Sequence, residues 1–146
     1  MSTTVLTRAA VAEALDKVIV ERGGDFVYDS NANNGCFYAN EDGTPGCIVG
    51  AVLAIAAPES FETLKNLEAP TDDGNGILHR TPCGPVLSVV QAGYVKTESE
   101  ALTSALRRAQ SEQDGGATWE AARAAFVASL IEADESERRY SELLAA

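Results

Sequence analysis

Residues 43–58 read GTPGCIVGAVLAIAAP, and this stretch decides the fold. Its run CIVGAVLAIAA is apolar on every side, whereas a helix on a protein surface carries a polar face. We therefore predict a buried helix over about 46–57 and expect the other elements to pack around it. Gly50 inside it indicates that a second backbone segment crosses close by, because glycine in a helix otherwise costs about 1 kcal/mol relative to alanine.

The ends of this helix are predicted from turn and capping chemistry. Thr44 is placed as the N-cap, because a hydroxyl oxygen accepts a hydrogen bond from a free N–H of the first turn. Pro45 is then the first helical residue, where its missing N–H costs nothing. Pro58 ends the helix, since proline lacks the donor that would continue it.

Helical patterns dominate the rest of the chain. Aromatic residues make up only 6% of it and alanine is abundant, a mixture that favours packed helices over a sheet sandwich. Helices are predicted to begin at Thr7, at Thr118 and at a capping box formed by Thr97 and Glu100. A helix is also favoured over a strand after residue 86. The predicted class is α+β and mostly α-helical, a compact helical bundle of four to six helices around the buried central helix.

One small β-hairpin is predicted over about 25–39. Two short apolar runs, DFVY at 25–28 and CFY at 36–38, flank the sequence DSNANNG. Asn-Asn-Gly is strong turn chemistry, because asparagine and glycine both tolerate positive φ. We expect the two runs to pair as antiparallel strands across this turn.

Chain length predicts a single domain over 1–146, because 146 residues is the usual size of one domain. The last helix resumes its apolar stripe near its end, at Tyr140, Leu143 and Leu144. If unbroken, this helix would be about 40 Å long, whereas the whole chain should have a radius of gyration of about 15 Å. Residues 134–146 are therefore predicted to be a projecting helix end or a dimerisation segment, with a homodimer through the C-terminal helices as one outcome.

The charge balance limits the classes of partner that we expect the protein to bind. The chain has 11 basic and 22 acidic residues, a net charge of −11. Such a surface repels phosphate, so we predict no direct binding to nucleic acid and none to an anionic membrane. No 18-residue window is apolar throughout and the N-terminus lacks a signal-peptide pattern. We predict a cytoplasmic setting, where three cysteines are most simply free thiols.

Two segments carry a resemblance. The sequence CFYANEDGTPGCIVGAVL at 36–53 resembles a segment of small uncharacterised proteins of actinobacteria and their phages, in which a cysteine, an aromatic residue, a Gly-x-Pro turn and Cys-Ile-Val-Gly follow in order. The sequence RRAQSEQDGGATWEAA at 107–122 is similar to a second segment of those proteins. This chain departs from them in having Ala51 and an acidic surface, whereas basic residues or histidine are expected after the glycine. The resemblance implies a phage-encoded or prophage-like accessory protein in the bacterial cytoplasm, and it implies no activity.

Cys36 and Cys47 lie on either side of the turn, and packing as small buried hydrophobes is the favoured interpretation. A redox pair is an alternative, because a helix N-terminus can lower the pKa of a thiol. A second alternative is a Cys3His zinc site that adds Cys83 and His79, the only histidine. Zinc ligands usually come as close Cys pairs, so the long gap between Cys36 and Cys47 argues against it. We predict no metal and no cofactor.

The motifs do not predict an enzyme. We find no phosphate-binding loop, nucleophile elbow or metalloprotease motif, and a single histidine leaves little room for a Cys–His dyad. We predict a non-enzymatic protein that binds a host macromolecule, in particular a host protein with a basic surface. One alternative is a small-molecule (nucleotide-signal) binding protein whose pocket forms from the 43–47 turn and the Pro/Gly-rich loop 69–85. The other is a zinc- or thiol-dependent module.

Overall fold

The computed structural model describes residues 3–29 and 36–146, and within them the chain forms six helices and four short strands. The helices are α1 (Arg8–Arg22), α2 (Ile48–Ala56), α3 (Pro58–Leu67), α4 (Val86–Gln91), α5 (Glu100–Asp114) and α6 (Trp119–Ala145). The strands are β1 (Val5–Leu6), β2 (Thr71–Asp72), β3 (Leu78–His79) and β4 (Lys96–Thr97). The predicted class, α+β and mostly α-helical, is confirmed.

Helix α2 is the buried centre that its apolar sequence predicts. Its residues from Ile48 to Leu53 are all buried, and it packs against α1, α3 and α5. A Cβ atom at Gly50 would collide with the backbone carbonyl of Tyr38, so the predicted close crossing is confirmed. The crossing segment is 36–39, which approaches α2 to backbone contact because glycine has no side chain to keep it away.

The start of α2 differs from the prediction. Its N-cap is Cys47, whose Sγ accepts a hydrogen bond from the Gly50 N–H at 3.5 Å. Thr44 and Pro45 lie in the preceding turn instead of in the helix. The N–H groups of the two residues after Pro45 donate to the carbonyls of 37–38, both at 2.9 Å. The prediction of Thr44 as the N-cap was wrong, because the 36–39 segment pairs with the backbone of the turn just before the helix.

The other helices close around α2. Helices α5 and α6 pack along each other, α4 packs on α5, and α1 also contacts α6. Thr7 and Thr118 cap α1 and α6 as predicted, each accepting from the N–H three residues later. Helix α5 is capped by Ser99 instead of Thr97, because Thr97 belongs to β4, which pairs in parallel with β1. This strand pair holds the start of α1 beside the start of α5.

The antiparallel pair lies where an irregular loop was predicted. Strands β2 and β3 pair with Thr71 opposite His79, so the loop 69–85 contains a small exposed hairpin. Asp72 and Asp73 stabilise its tip, since each carboxylate accepts two backbone N–H groups of the turn. This turn chemistry was present in the sequence, but the flanking residues carry no strand pattern that would have announced the pairing.

The hairpin predicted over about 25–39 is wrong in its described parts. Residues 25–29 and 36–39 form no strand pair with each other, and 30–35 lie outside the described residues. The 36–39 segment pairs instead with the turn before α2, through an isolated antiparallel bridge between Ala39 and Pro45. Local apolar runs did not reveal this partner, because the pairing is made with residues that the capping pattern had assigned to a helix.

Helix α6 runs unbroken for 27 residues. Its first half is buried through Trp119, Ala122 and Phe126, and from Asp134 onward every residue is exposed. Every side of the end of this helix is therefore exposed. No helix among the described residues combines the length and the apolar character needed to cross a membrane.

Candidate functional site

Glu68 is the centre of a buried polar cluster that holds the 36–39 segment. It follows α3 and is fully buried. Its Oε1 accepts the Ala39 N–H at 3.0 Å, and its Oε2 accepts the N–H groups of Tyr38 and Cys83 at 3.2 Å each. Burial raises the pKa of Glu68, while the three N–H donors and Arg80 oppose that rise. The carboxylate thus satisfies backbone donors that would otherwise need a strand partner.

Two glutamines of α5 hold the same segment from the other side. Gln110 accepts the Val86 N–H at 2.9 Å and donates to the Tyr38 hydroxyl at 3.2 Å. Gln113 accepts the Ile48 N–H at 2.6 Å. Both glutamines are buried, and they fix the start of α4 and the start of α2. Each buried amide is therefore used for positioning, because a buried polar group without a partner is costly.

These contacts join two stretches that are far apart in the sequence, 36–53 and 107–122. Gln110 and Gln113 belong to 107–122, and their partners Tyr38 and Ile48 belong to 36–53. The two stretches are therefore neighbours in the fold.

The structure brings Cys36 and Cys47 together. Cys47 is fully buried, whereas Cys36 is half-buried and accepts a long hydrogen bond from Gln113 at 3.7 Å. The neighbouring Cys47 thiol, and then burial, raise the pKa of Cys36. A raised pKa keeps a thiol protonated and poorly nucleophilic. Cys36 therefore has the chemistry of a packed thiol, although it lies within reach of Cys47.

Cys83 and His79 belong to the loop 69–85, outside the 36–47 segment. Cys83 is half-buried, its Sγ donates to the Leu64 carbonyl at 3.7 Å, and burial with the nearby Glu68 raises its pKa to about 12. His79 is on the exposed hairpin, with Nε2 3.2 Å from Asp73 Oδ2. In the described parts of the chain, no three His, Cys, Asp or Glu side chains are grouped so that they could hold a metal ion. The alternative zinc set of Cys36, Cys47, His79 and Cys83 is thus not assembled.

A cleft of about 680 Å³ lies beside the 36–47 segment. Its walls come from the end of α1 with the residues after it, from the turn before α2, and from the loop before α4. Arg22 and Arg80 both line it. The turn contributes Gly46 to this cleft, and the loop 69–85 contributes Arg80.

The sequence carries a signal for some of the residues that hold this region together, but not for all of them. Glu68, Arg22 and Arg80 give no local signal, because each is a charged residue beside a loop or at a helix end. Gln110 and Gln113 did carry one, since each lies four residues after an apolar stripe residue of α5, Leu106 or Ala109. A polar residue on a buried stripe indicates a hydrogen-bonding role in the core.

The chain was compared with protein-family models, with curated proteins and with solved structures, and none of them matches it. The function is therefore inferred from the residues themselves.

Proposed function

We propose that this is a non-enzymatic accessory protein of phage or prophage type that binds a host protein through the projecting end of α6. The observation that carries the proposal is an exposed apolar patch on residues 134–146. Tyr140, Leu143 and Leu144 are 64%, 74% and 71% exposed, although they are the large apolar residues of this segment. We call these three residues the α6-end patch.

The α6-end patch continues the stripe that packs α6 on α5. At 100° per residue, Tyr140 and Leu144 lie on the same side of the helix as Trp119, Ala122 and Phe126. The packed body of the protein ends before this apolar stripe of α6 ends. Among the described residues, the ion pair nearest the C-terminus that joins α6 to another element is that of Arg8 with Asp134, at 2.9 Å. A helix of roughly twelve residues is marginal by itself in water, so its apolar side gains most when a partner covers it.

Charge favours a basic partner over a second copy of the chain. Residues 132–146 carry five acidic side chains and two arginines, and the whole chain carries −11. Two copies would meet with like charge, whereas an apolar groove bordered by Lys and Arg would attract the helix and speed its association. Laying an amphipathic helix into such a groove is a common mode of protein recognition. The area of the α6-end patch is smaller than the roughly 800 Å² that each partner buries in a stable interface, so residues around the patch must also contact the partner.

The test begins with the full chain immobilised in lysate of an actinobacterial host. One variant replaces the α6-end patch by serine, as Tyr140→Ser, Leu143→Ser and Leu144→Ser together. The matched control replaces three exposed apolar residues elsewhere, as Val20→Ser, Ile77→Ser and Leu78→Ser. We expect one host protein to be captured by the wild type and the control, but not by the α6-end variant.

The captured protein is then purified and its binding is measured directly. We expect its Kd to rise at least tenfold between low and high salt, and hydrogen exchange to show protection in residues 134–145. Binding that is equal in both triple variants, or protection elsewhere, would overturn the proposal. A native mass of two chains that returns to one in the α6-end variant would instead assign the surface to a second copy.

A further inference from the structure

The outward side of the first half of α6 is apolar, although it lies on the surface. Between 119 and 131 the helix has only two charged residues, Glu120 and Arg123. Val127 is 45% exposed and Ile131 is 53% exposed. A surface helix normally carries polar residues opposite its buried stripe, and every exposed residue of α5 is indeed charged or carries a hydroxyl group. The outward side of α6 therefore has the composition of a surface that another element covers.

Helical geometry separates this side from the contacts that α6 makes with its own chain. Ion pairs join the flanks of α6 to α1, at 2.9 and 3.0 Å, and to α5, at 3.3 Å. Between these flanks, five residues point within about 40° of the direction opposite to the buried Ala122, at 100° per residue. We call them the α6 outward face: Glu120, Ala124, Val127, Ile131 and Arg138. A depression of about 490 Å³ lies along it, and its described lining residues all belong to α6.

The charge of the α6 outward face is balanced, unlike that of the whole chain. It has one acid at its start, Glu120, and one base at its end, Arg138, whereas the whole chain has a net charge of −11. In the described part of the chain the Glu120 carboxylate makes no ion pair, and Arg138 makes only a 3.9 Å contact with Glu142. An acid and a base at opposite ends of an apolar strip are complementary to the same strip running in the opposite direction.

A single antiparallel register satisfies the apolar and the charged residues together. When Val127 of one copy faces Ile131 of the other, two-fold symmetry repeats that contact, and Glu120 faces Arg138 at both ends of the α6 outward face. A shift that sets Val127 against its own copy would bring Glu120 against Asp134. A shift that sets Ile131 against its own copy would bring Glu120 against Glu142. Both shifts replace an attraction by a repulsion, so the residue order selects one register.

We propose that the α6 outward face is the interface of a homodimer in which two α6 helices pack antiparallel. The interface contains two contacts between Val127 and Ile131 and two ion pairs between Glu120 and Arg138. The helices run side by side over 120–138, a length of about 28 Å at 1.5 Å per residue. An unrelated partner would also cover the apolar residues, but only a second copy accounts for the order of the charges, which complements itself.

This interface is separate from the α6-end patch. Tyr140 and Leu144 lie on the same side of α6 as Ala122, which is opposite to the α6 outward face, so the dimer presents two such patches. The net charge of the two copies opposes their association. At an ionic strength of about 0.15 M the Debye length is about 8 Å, so distant carboxylates contribute little, whereas ion pairs in direct contact persist.

The test is sedimentation equilibrium of the full chain at about 0.15 M salt, where we expect a dimer with a Kd below about 10 μM. Ile131→Asp should raise this Kd at least tenfold, because it sets a carboxylate against Val127 of the second copy. Ile77→Asp is the matched control, since Ile77 is 56% exposed on the hairpin and the substitution adds the same charge. It should leave the Kd unchanged. Thermal melting of each variant shows that it is folded.

Charge exchange tests the register. Glu120→Arg and Arg138→Glu should each weaken the dimer, because each sets two like charges against each other, and the double variant should restore the wild-type Kd. The proposal is overturned by a wild type that is monomeric at about 100 μM, by a folded Ile131→Asp protein that dimerises as the wild type does, or by a double variant as weak as the single ones.

The α6-end variant, with serine at 140, 143 and 144, separates this proposal from the proposed function. It should dimerise as the wild type does, while it loses the host protein. A dimer that this variant loses would assign the contact between copies to the α6-end patch and would overturn the assignment to the α6 outward face.

Discussion

The 36–47 segment and the end of α6 differ in what surrounds them. In the first, buried carboxylate, amide and thiol groups all have partners, and a backbone crossing at Gly50 leaves no room for a methyl group. In the second, three large apolar side chains are mostly exposed. The fold itself requires the packed residues of the 36–47 segment. It does not use the exposed apolar residues at the end of α6, so only these need an outside partner to explain them.

Thiol reactivity should show the largest effect, and Cys83 reports it, because its N–H is held by the same Glu68 carboxylate that holds the 36–39 backbone. The pKa of Cys83 is raised from 9.0 to about 12, so its thiolate fraction at pH 8 falls roughly a thousandfold. We expect iodoacetamide to alkylate Cys83 about a thousandfold more slowly in the folded chain than in the unfolded chain. Peptide mass spectrometry after timed quenching measures the rate at each cysteine.

The pH dependence has a definite sign. The unfolded chain loses the Cys83 proton first, near pH 9, so stability should fall as pH rises from about 9 toward about 12. The alkylation rate of the folded chain should keep rising over the same interval. An alkylation rate that levels off below pH 10 would show that the Cys83 thiol is reactive in the folded chain. That result would contradict the raised pKa from which the prediction is made.

Gly50→Ala should give the largest loss of stability. The new methyl group meets the backbone carbonyl of Tyr38, which is not the end of a flexible side chain and cannot turn away. We expect a loss of about 3 kcal/mol, at the upper end of the cost of overpacking. Gly115→Ala is the control, because φ there is −77° and the nearest atoms to a Cβ are at 3.5 Å. Urea unfolding followed by circular dichroism measures both, and equal stabilities would contradict the close crossing.

Glu68→Gln should cost somewhat less, about 2 kcal/mol. The amide places an NH2 group against backbone N–H donors of Tyr38, Ala39 or Cys83, and so leaves at least one of them without an acceptor. Glu62→Gln on α3 is the control. It removes only a surface pair with Lys65 and should change the free energy of unfolding by less than about 0.5 kcal/mol.

Glu68 also gives the wild type a distinct pH profile. Because its pKa is raised in the folded state, its contribution to stability is complete at acidic pH and is lost as pH rises through the folded-state pKa. Glu68→Gln should lack this part of the profile, so the difference in stability between the two proteins should be larger in mild acid than at pH 7. Unfolding series at several pH values test this, and a difference that shrinks in acid would contradict the assigned direction.

The smallest effect is expected at the α6-end patch. Replacing Tyr140, Leu143 and Leu144 together by serine should change the free energy of unfolding of the isolated chain by less than about 0.5 kcal/mol, because these side chains pack on nothing in the body. The free energy of unfolding of the wild type and of this variant should be measured at two protein concentrations. A loss that appears only at the higher concentration would show that a second copy covers the patch.

Local sequence was enough to predict the helical class, the buried α2, the close crossing at Gly50, the caps at Thr7 and Thr118, and the long last helix. These features depend on local periodicity and capping, which a single stretch of chain carries. Tertiary structure alone decided that the 36–39 segment pairs with the turn before α2, and that Glu68, Gln113, Arg22 and Arg80 meet there. Such contacts join residues up to 77 positions apart, and no local pattern records which distant group will satisfy a buried backbone donor.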